Sequence, residues 1–160
     1  MRKIVVIGLI LTVLLSSCSA SKAIHEKRNL ISGTWVLNNI SFADQPGTFK
    51  SVIFNDAQDI CFEGSNWYFR DNNSTGRYTI KSSTLCTGGD RFIRWSVIEN
   101  DYGTSQLQFK PIDEKRKDIS GGYGYRLDIT SLTSTNMVLK SNVTANGAPV
   151  SVIYEFTKQQ

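Results

Sequence analysis

Three cysteines and one histidine bound the chemistry open to this chain. A thiolate is a strong nucleophile near neutral pH, so Cys18, Cys61 and Cys86 are the first residues to place. A Ser-His-Asp or Cys-His site needs an imidazole beside its nucleophile. His25 is the one histidine, and it stands in the polar stretch Ser19–Asn29, so no catalytic residue is expected. Neither Cys61 nor Cys86 belongs to a Cys-x-x-Cys pair, so no metal site and no cofactor are expected. Glycoside hydrolysis needs two carboxylates about 5–10 Å apart across a cleft. Glu63 and Glu155 fall on expected strands and read as solvent-facing. Gly121-Gly122-Tyr123-Gly124 precedes a strand, whereas a phosphate loop precedes a helix, so these glycines read as turn and β-bulge positions. The aromatic residues remain. Trp67, Trp95, Tyr123, Tyr125 and Tyr154 each offer an apolar body and a polar tip, which suits a small, mostly apolar ligand. The same residues also suit a packed core with no cavity, and both readings stay open.

Cys18 has a context of its own. Arg2 and Lys3 precede an apolar run of 12 residues, Ile4–Leu15. A membrane-spanning helix needs about 20 such residues. The core of an export signal needs only about 7–15. The run ends in Leu15-Ser16-Ser17-Cys18, which resembles the bacterial lipobox. That resemblance implies a diacylglycerol on the Cys18 thiol, cleavage before Cys18, and an acyl chain such as palmitate on the new amine. Residues 1–17 are then the signal peptide. Ser19 is non-acidic, and by resemblance to enteric lipoproteins this implies sorting to the outer membrane, on its periplasmic face. Removing Arg2 and Lys3 leaves 16 basic residues against 14 acidic ones, a net charge of +2. A nucleic-acid partner would need a basic stripe with interleaved aromatics, which is not seen. In an oxidising envelope the remaining even pair, Cys61 and Cys86, favours a disulfide worth roughly 3 kcal/mol.

The elements that must hold these residues are short strands. Residues 18–29 read as a polar, lipidated tether, and 30–160 as one domain. Alternation marks strands near Thr34–Ile40, Phe49–Phe54, Ile60–Arg70, Gly76–Lys81, Arg91–Ile98, Ser105–Lys110, Tyr123–Leu132, Met137–Ser141 and Val150–Thr157. In Tyr123–Leu132, Tyr123, Tyr125, Leu127 and Ile129 share one face. Pro46-Gly47, Asp71-Asn72-Asn73, Gly88-Gly89-Asp90 and Asn146-Gly147 supply turns. No long helical period is found, beyond a turn or two near Asn55–Ile60. Eight or nine such strands predict an all-β, antiparallel up-and-down barrel, with room inside for side chains or one small ligand.

Gly33-Thr34-Trp35 on the first strand is similar to the Gly-x-Trp signature of lipocalins. Cys61-Phe62-Glu63-Gly64-Ser65-Asn66-Trp67, Gly76-Arg77-Tyr78, Cys86, Trp95, Leu132–Leu139 and Tyr154-Glu155-Phe156-Thr157-Lys158 resemble bacterial lipoproteins carrying a lipocalin-like domain. The resemblance covers about residues 30–158. It implies that Gly33 and Trp35 build the closed base of the barrel. It also implies that a later arginine stacks on Trp35, for which Arg126 and Arg94 are the candidates. The function implied is binding of a small hydrophobic ligand without catalysis. The second reading is a non-enzymatic accessory subunit of an envelope complex, docking a protein partner through Ala43–Lys50 or Ile98–Ser105.

Overall fold

The computed structural model describes residues 22–43, 51–145 and 148–160. The expectations placed on the signal peptide, on Cys18 and its neighbours to Ser21, on residues 44–50 of the first docking loop, and on Asn146-Gly147 lie outside these described residues.

Eight long strands carry the fold. They are β1 (Gly33–Ala43), β4 (Ser65–Arg70), β5 (Thr75–Ile80), β6 (Gly89–Glu99), β7 (Ser105–Ile112), β8 (Tyr125–Leu132), β9 (Asn136–Ala145) and β10 (Ala148–Lys158). Each pairs antiparallel with its chain neighbour, and β1 pairs with both β4 and β10. Closure removes the free sheet edges that an open meander would leave for aggregation. The period-two pattern explains the inside. On β4, Ser65, Trp67 and Phe69 are buried while Tyr68 and Arg70 face out. Ile93, Trp95 and Val97 of β6 and Val152, Tyr154 and Phe156 of β10 join the same core.

Two bulges help the sheet curl. The pairing slips between Leu37 and Asn39 on β1 and between Ile129 and Ser131 on β8. An extra residue on one strand bends it and increases its twist. The extra residues, Asn38 and Thr130, spend their side chains on the next strand, at Thr157 Oγ1 and the Val138 carbonyl.

Three elements depart from the sequence reading. Residues 22–31, expected as an irregular tether up to Asn29, form a helix, α1. Ile24 packs on the core and Ile31 is fully buried, seven residues on and so on the same helical face. Of the expected strand Phe49–Phe54, residues 49 and 50 lie outside the described residues, and the described part holds β2 (Val52–Ile53), which among the described residues pairs with β3 (Ala57–Gln58) in a separate hairpin. The first part of the expected strand Ile60–Arg70 is instead a helical turn, α2 (Asp59–Phe62), so Glu63 lies off any strand. Cys61 on α2 is bridged to Cys86 in the β5–β6 connection, with Cα atoms 5.5 Å apart.

Candidate ligand-binding site

The barrel interior has two differently built ends. At the first end, Gly33, Trp35 and α1 form a plug. The Trp35 indole donates to the Ile31 carbonyl at 2.7 Å. The Lys158 ammonium lies 5.1 Å from the centre of the Trp35 ring and donates to the Leu30 carbonyl at 2.7 Å. Burial pulls the Lys158 pKa down. Gly33 has φ +120, and a Cβ there would stand 3.0 Å from Lys158 Cε. Only glycine combines that backbone with that passage for the lysine stem. The cation over Trp35 is therefore Lys158, and neither Arg126 nor Arg94 fills that role. Arg94 donates to the Arg116 carbonyl, and Arg126 borders the outer groove described below. A second cation stacks nearby: the Arg28 guanidinium sits 4.7 Å from the Trp95 ring centre and bonds Asp71. Trp95 is buried, its N–H shared by the Arg70 and Thr75 carbonyls.

The second end is closed by the β2–β3 hairpin. Phe54 at its turn points its ring into the barrel. That ring stacks on Tyr154, with centroids 5.5 Å apart. It meets Phe62, Trp67, Phe109 and Tyr125 edge-on, at 4.9–6.0 Å. Phe54 and Asn55 both hold positive φ, 53° and 51°. A bulky residue there costs on the order of 1 kcal/mol, so surrounding contacts must hold the turn. Those contacts are polar. The Tyr125 hydroxyl donates to the Phe54 carbonyl at 2.5 Å. Tyr78 donates to Asp56 Oδ2 at 2.9 Å, and Arg91 forks onto both Asp56 oxygens. A cleft of about 400 Å³ runs beside Phe54, bordered by Ile53, Tyr125, Leu127, Asn142 and Tyr154.

The candidate residues fall into two overlapping groups, with Tyr125 common to both. Trp67, Tyr125 and Tyr154 come together around Phe54. Trp95 belongs to the plugged end. Tyr123 is not on a strand; it lies in the β7–β8 connection and is 80 % exposed, because β8 begins only at Tyr125. It borders a groove of about 840 Å³ on the outer surface of β6–β8, with Arg94, Gln108, Lys110 and Arg126. Trp95, Phe109 and Tyr125 border the same groove, so Tyr123 meets two of the other candidates, Trp95 and Tyr125, there. Phe54, Tyr78, Phe109 and Arg91 lie outside the residues that the sequence alone points to. The Phe54-Asn55-Asp56 run, an aromatic before turn-forming residues, was the available signal. Glu155 accepts from Asn39 and Glu63 from the Ile40 amide, so each braces a strand.

Burial pushes the Tyr154 phenol up to about 12 and raises Tyr125 and Tyr78 as well, the last helped by the Asp56 carboxylate. A group that holds its proton more tightly when folded contributes stability below its unfolded pKa and loses it as pH rises. For Tyr154 the window runs from 10 to about 12. Lys158, whose pKa is lowered, works in the opposite sense. Urea midpoints measured at about pH 8 and about pH 11 should show a clear loss at the higher pH. In Tyr154→Phe the loss should be smaller.

A closed up-and-down barrel with an aromatic interior, sealed at one end by a helix and at the other by a small hairpin, defines a barrel that either packs solid or encloses one small molecule. A profile of the lipocalin-like domain matches residues 31–139, from the end of α1 into β9, and the chain belongs to that family. No curated protein sequence matches the chain. Among solved structures it is similar to bovine odorant-binding protein in complex with a selenium-containing odorant. The identity is 15 %, covering 83 % of this chain and 73 % of that one, with a TM-score of 0.43. It is likewise similar to the bovine protein complexed with undecanal, at 18 % identity, with 83 % and 73 % covered and a TM-score of 0.42.

Proposed function

We propose that the protein is a non-catalytic carrier, lipid-anchored through Cys18 to the periplasmic face of a bacterial outer membrane. It holds a small hydrophobic molecule inside the barrel, at the hairpin end. The observation that carries this reading is the Phe54 seat. Phe62, Trp67, Phe109, Tyr125 and Tyr154 converge on one ring that comes from outside the barrel sheet. A ring held from a separate hairpin can be exchanged for a ring from solution without breaking the barrel ladder. Affinity would come from apolar area removed from water, at about 25 cal/mol per Å². Native mass spectrometry of gently purified protein tests it. A bound apolar mass, or uptake of an apolar probe, supports the carrier. A homogeneous empty mass with no uptake overturns it.

The second reading, an accessory subunit docking an envelope protein, is favoured by the same residue seen differently, because Phe54 already fills the seat. Crosslinking in cells from Asn100–Thr104, the connection between β6 and β7, separates the two. A defined protein partner supports the subunit, and random neighbours count against it. For the anchor, Cys18→Ala should move the protein out of the membrane fraction. If the variant stays there, the lipid anchor is wrong.

A further inference from the structure

The barrel binds the turn Phe54-Asn55-Asp56 as it would bind a ligand with two chemical parts. One part is the phenyl ring, seated among aromatic side chains. The other is the Asp56 carboxylate. It is gripped by Arg91 Nε at 2.9 Å and Nη2 at 3.3 Å, and by the Tyr78 hydroxyl at 2.9 Å. Among the described residues the hairpin shares no ladder bonds with the barrel sheet, and these contacts hold its tip in place.

What stays behind when the turn leaves is informative. Tyr78 is 3 % exposed and would keep a hydroxyl with no acceptor. Tyr125 would lose the Phe54 carbonyl. Arg91 would not collapse, because Nη1 also donates to the Gly89 carbonyl and Nη2 to the Thr87 carbonyl, each at 2.9 Å. The vacated seat therefore presents a ring-shaped apolar slot beside a fixed guanidinium and phenol donors. Buried donors left without an acceptor are penalised, and a charged acceptor on Arg rewards a fork geometry.

We propose that Phe54-Asn55-Asp56 is a built-in stand-in for the ligand, and that the ligand class is an aryl carboxylic acid. Its ring takes the Phe54 seat, and its carboxylate takes the Asp56 position on Arg91 and Tyr78. This rests on the carrier reading and adds its substrate chemistry. A neutral apolar molecule fills the slot but leaves the donors unpaired. A saturated fatty acid pairs the donors but forfeits the ring-edge contacts of the slot.

The test is calorimetric titration of the purified full chain with 3-phenylpropionate, its amide, and octanoate. The wild type should prefer the acid to the amide and to octanoate. Phe54→Ala removes the ring half of the internal competitor, which seats the turn, and should tighten the acid by about tenfold, as expected when the open state ceases to be the minor one. Phe54→Leu keeps apolar filling and should give an intermediate gain, which guards against misfolding of the alanine variant. Arg91→Gln and Tyr78→Phe should each shrink the acid-over-amide preference, and circular dichroism should confirm that both fold. If acid and amide bind alike, or octanoate binds as well as the aryl acid, the ligand assignment is overturned while the carrier reading stands. If none of the three binds to any variant, the ligand assignment falls, and the native mass spectrum alone decides the carrier reading.

Discussion

Replacing Trp67 by alanine is expected to lower unfolding stability by about 3–5 kcal/mol, among the largest effects a single truncation produces. The size follows from position. Trp67 is 2 % exposed and lies between the two ends of the barrel. Its ring stacks on Tyr78 with centroids 4.5 Å apart and on Phe69 at 6.1 Å. Phe54, Phe109 and Phe156 meet it edge-on. Its N–H is satisfied by Ser65 Oγ, and Ser65 in turn donates to the Phe62 carbonyl. Truncation removes transfer free energy, leaves a cavity that stiff strands cannot close, and releases that serine. Urea unfolding followed by circular dichroism measures it. A loss below about 1 kcal/mol would mean that the interior is loosely filled, against the packing described here.

Breaking the Cys61–Cys86 bridge should have the next largest effect, about 3 kcal/mol on the chain-entropy account for a loop of its length. The sequence separation is 25 residues. For a domain of this size the melting temperature should fall by on the order of 10 °C. The bridge lies at the hairpin end, where it ties α2, and with it Phe62, to the β5–β6 connection. Its loss should therefore loosen the Phe54 seat before it loosens the Trp35 plug. Thermal melts with and without reductant give the measurement. The wild type should drop on reduction, and the Cys61→Ser, Cys86→Ser double variant should start low and show no further change. Equal melts for reduced and oxidised protein would contradict it.

The barrel was legible because its strands obey a two-residue period over most of their length. Trp67 and Phe69 on β4, and Val152, Tyr154 and Phe156 on β10, declare an inner face whatever the rest of the chain does. The disulfide was legible for a similar reason, since it depends on few residues. The misses share a different cause. Helix α1 packs on the core through Ile24 and Ile31, with Arg28 between them on the same face. Arg28 is held by Asp71 and Trp95, partners far along the chain. Lys158 does over Trp35 what an arginine was expected to do, because either cation satisfies a ring face. Tyr123 looked inward by alternation, but Gly121, Gly122 and Gly124 around it let the β7–β8 connection run on to Tyr125 before pairing begins. Phe54 was the most consequential miss. Its inward turn is imposed by Tyr125, Tyr78 and Arg91, none adjacent in sequence, against the backbone preference of a phenylalanine.

The central claim is that an apolar ligand and the Phe54 ring compete for one seat. Titration of a neutral fluorescent ring compound, 1-aminoanthracene, into wild type, Phe54→Ala and Phe54→Trp tests it most directly. The account predicts one site per chain, tightest in the alanine variant and weakest in the tryptophan variant, spanning about tenfold or more. Equal affinities in all three proteins would place the ligand elsewhere and contradict it.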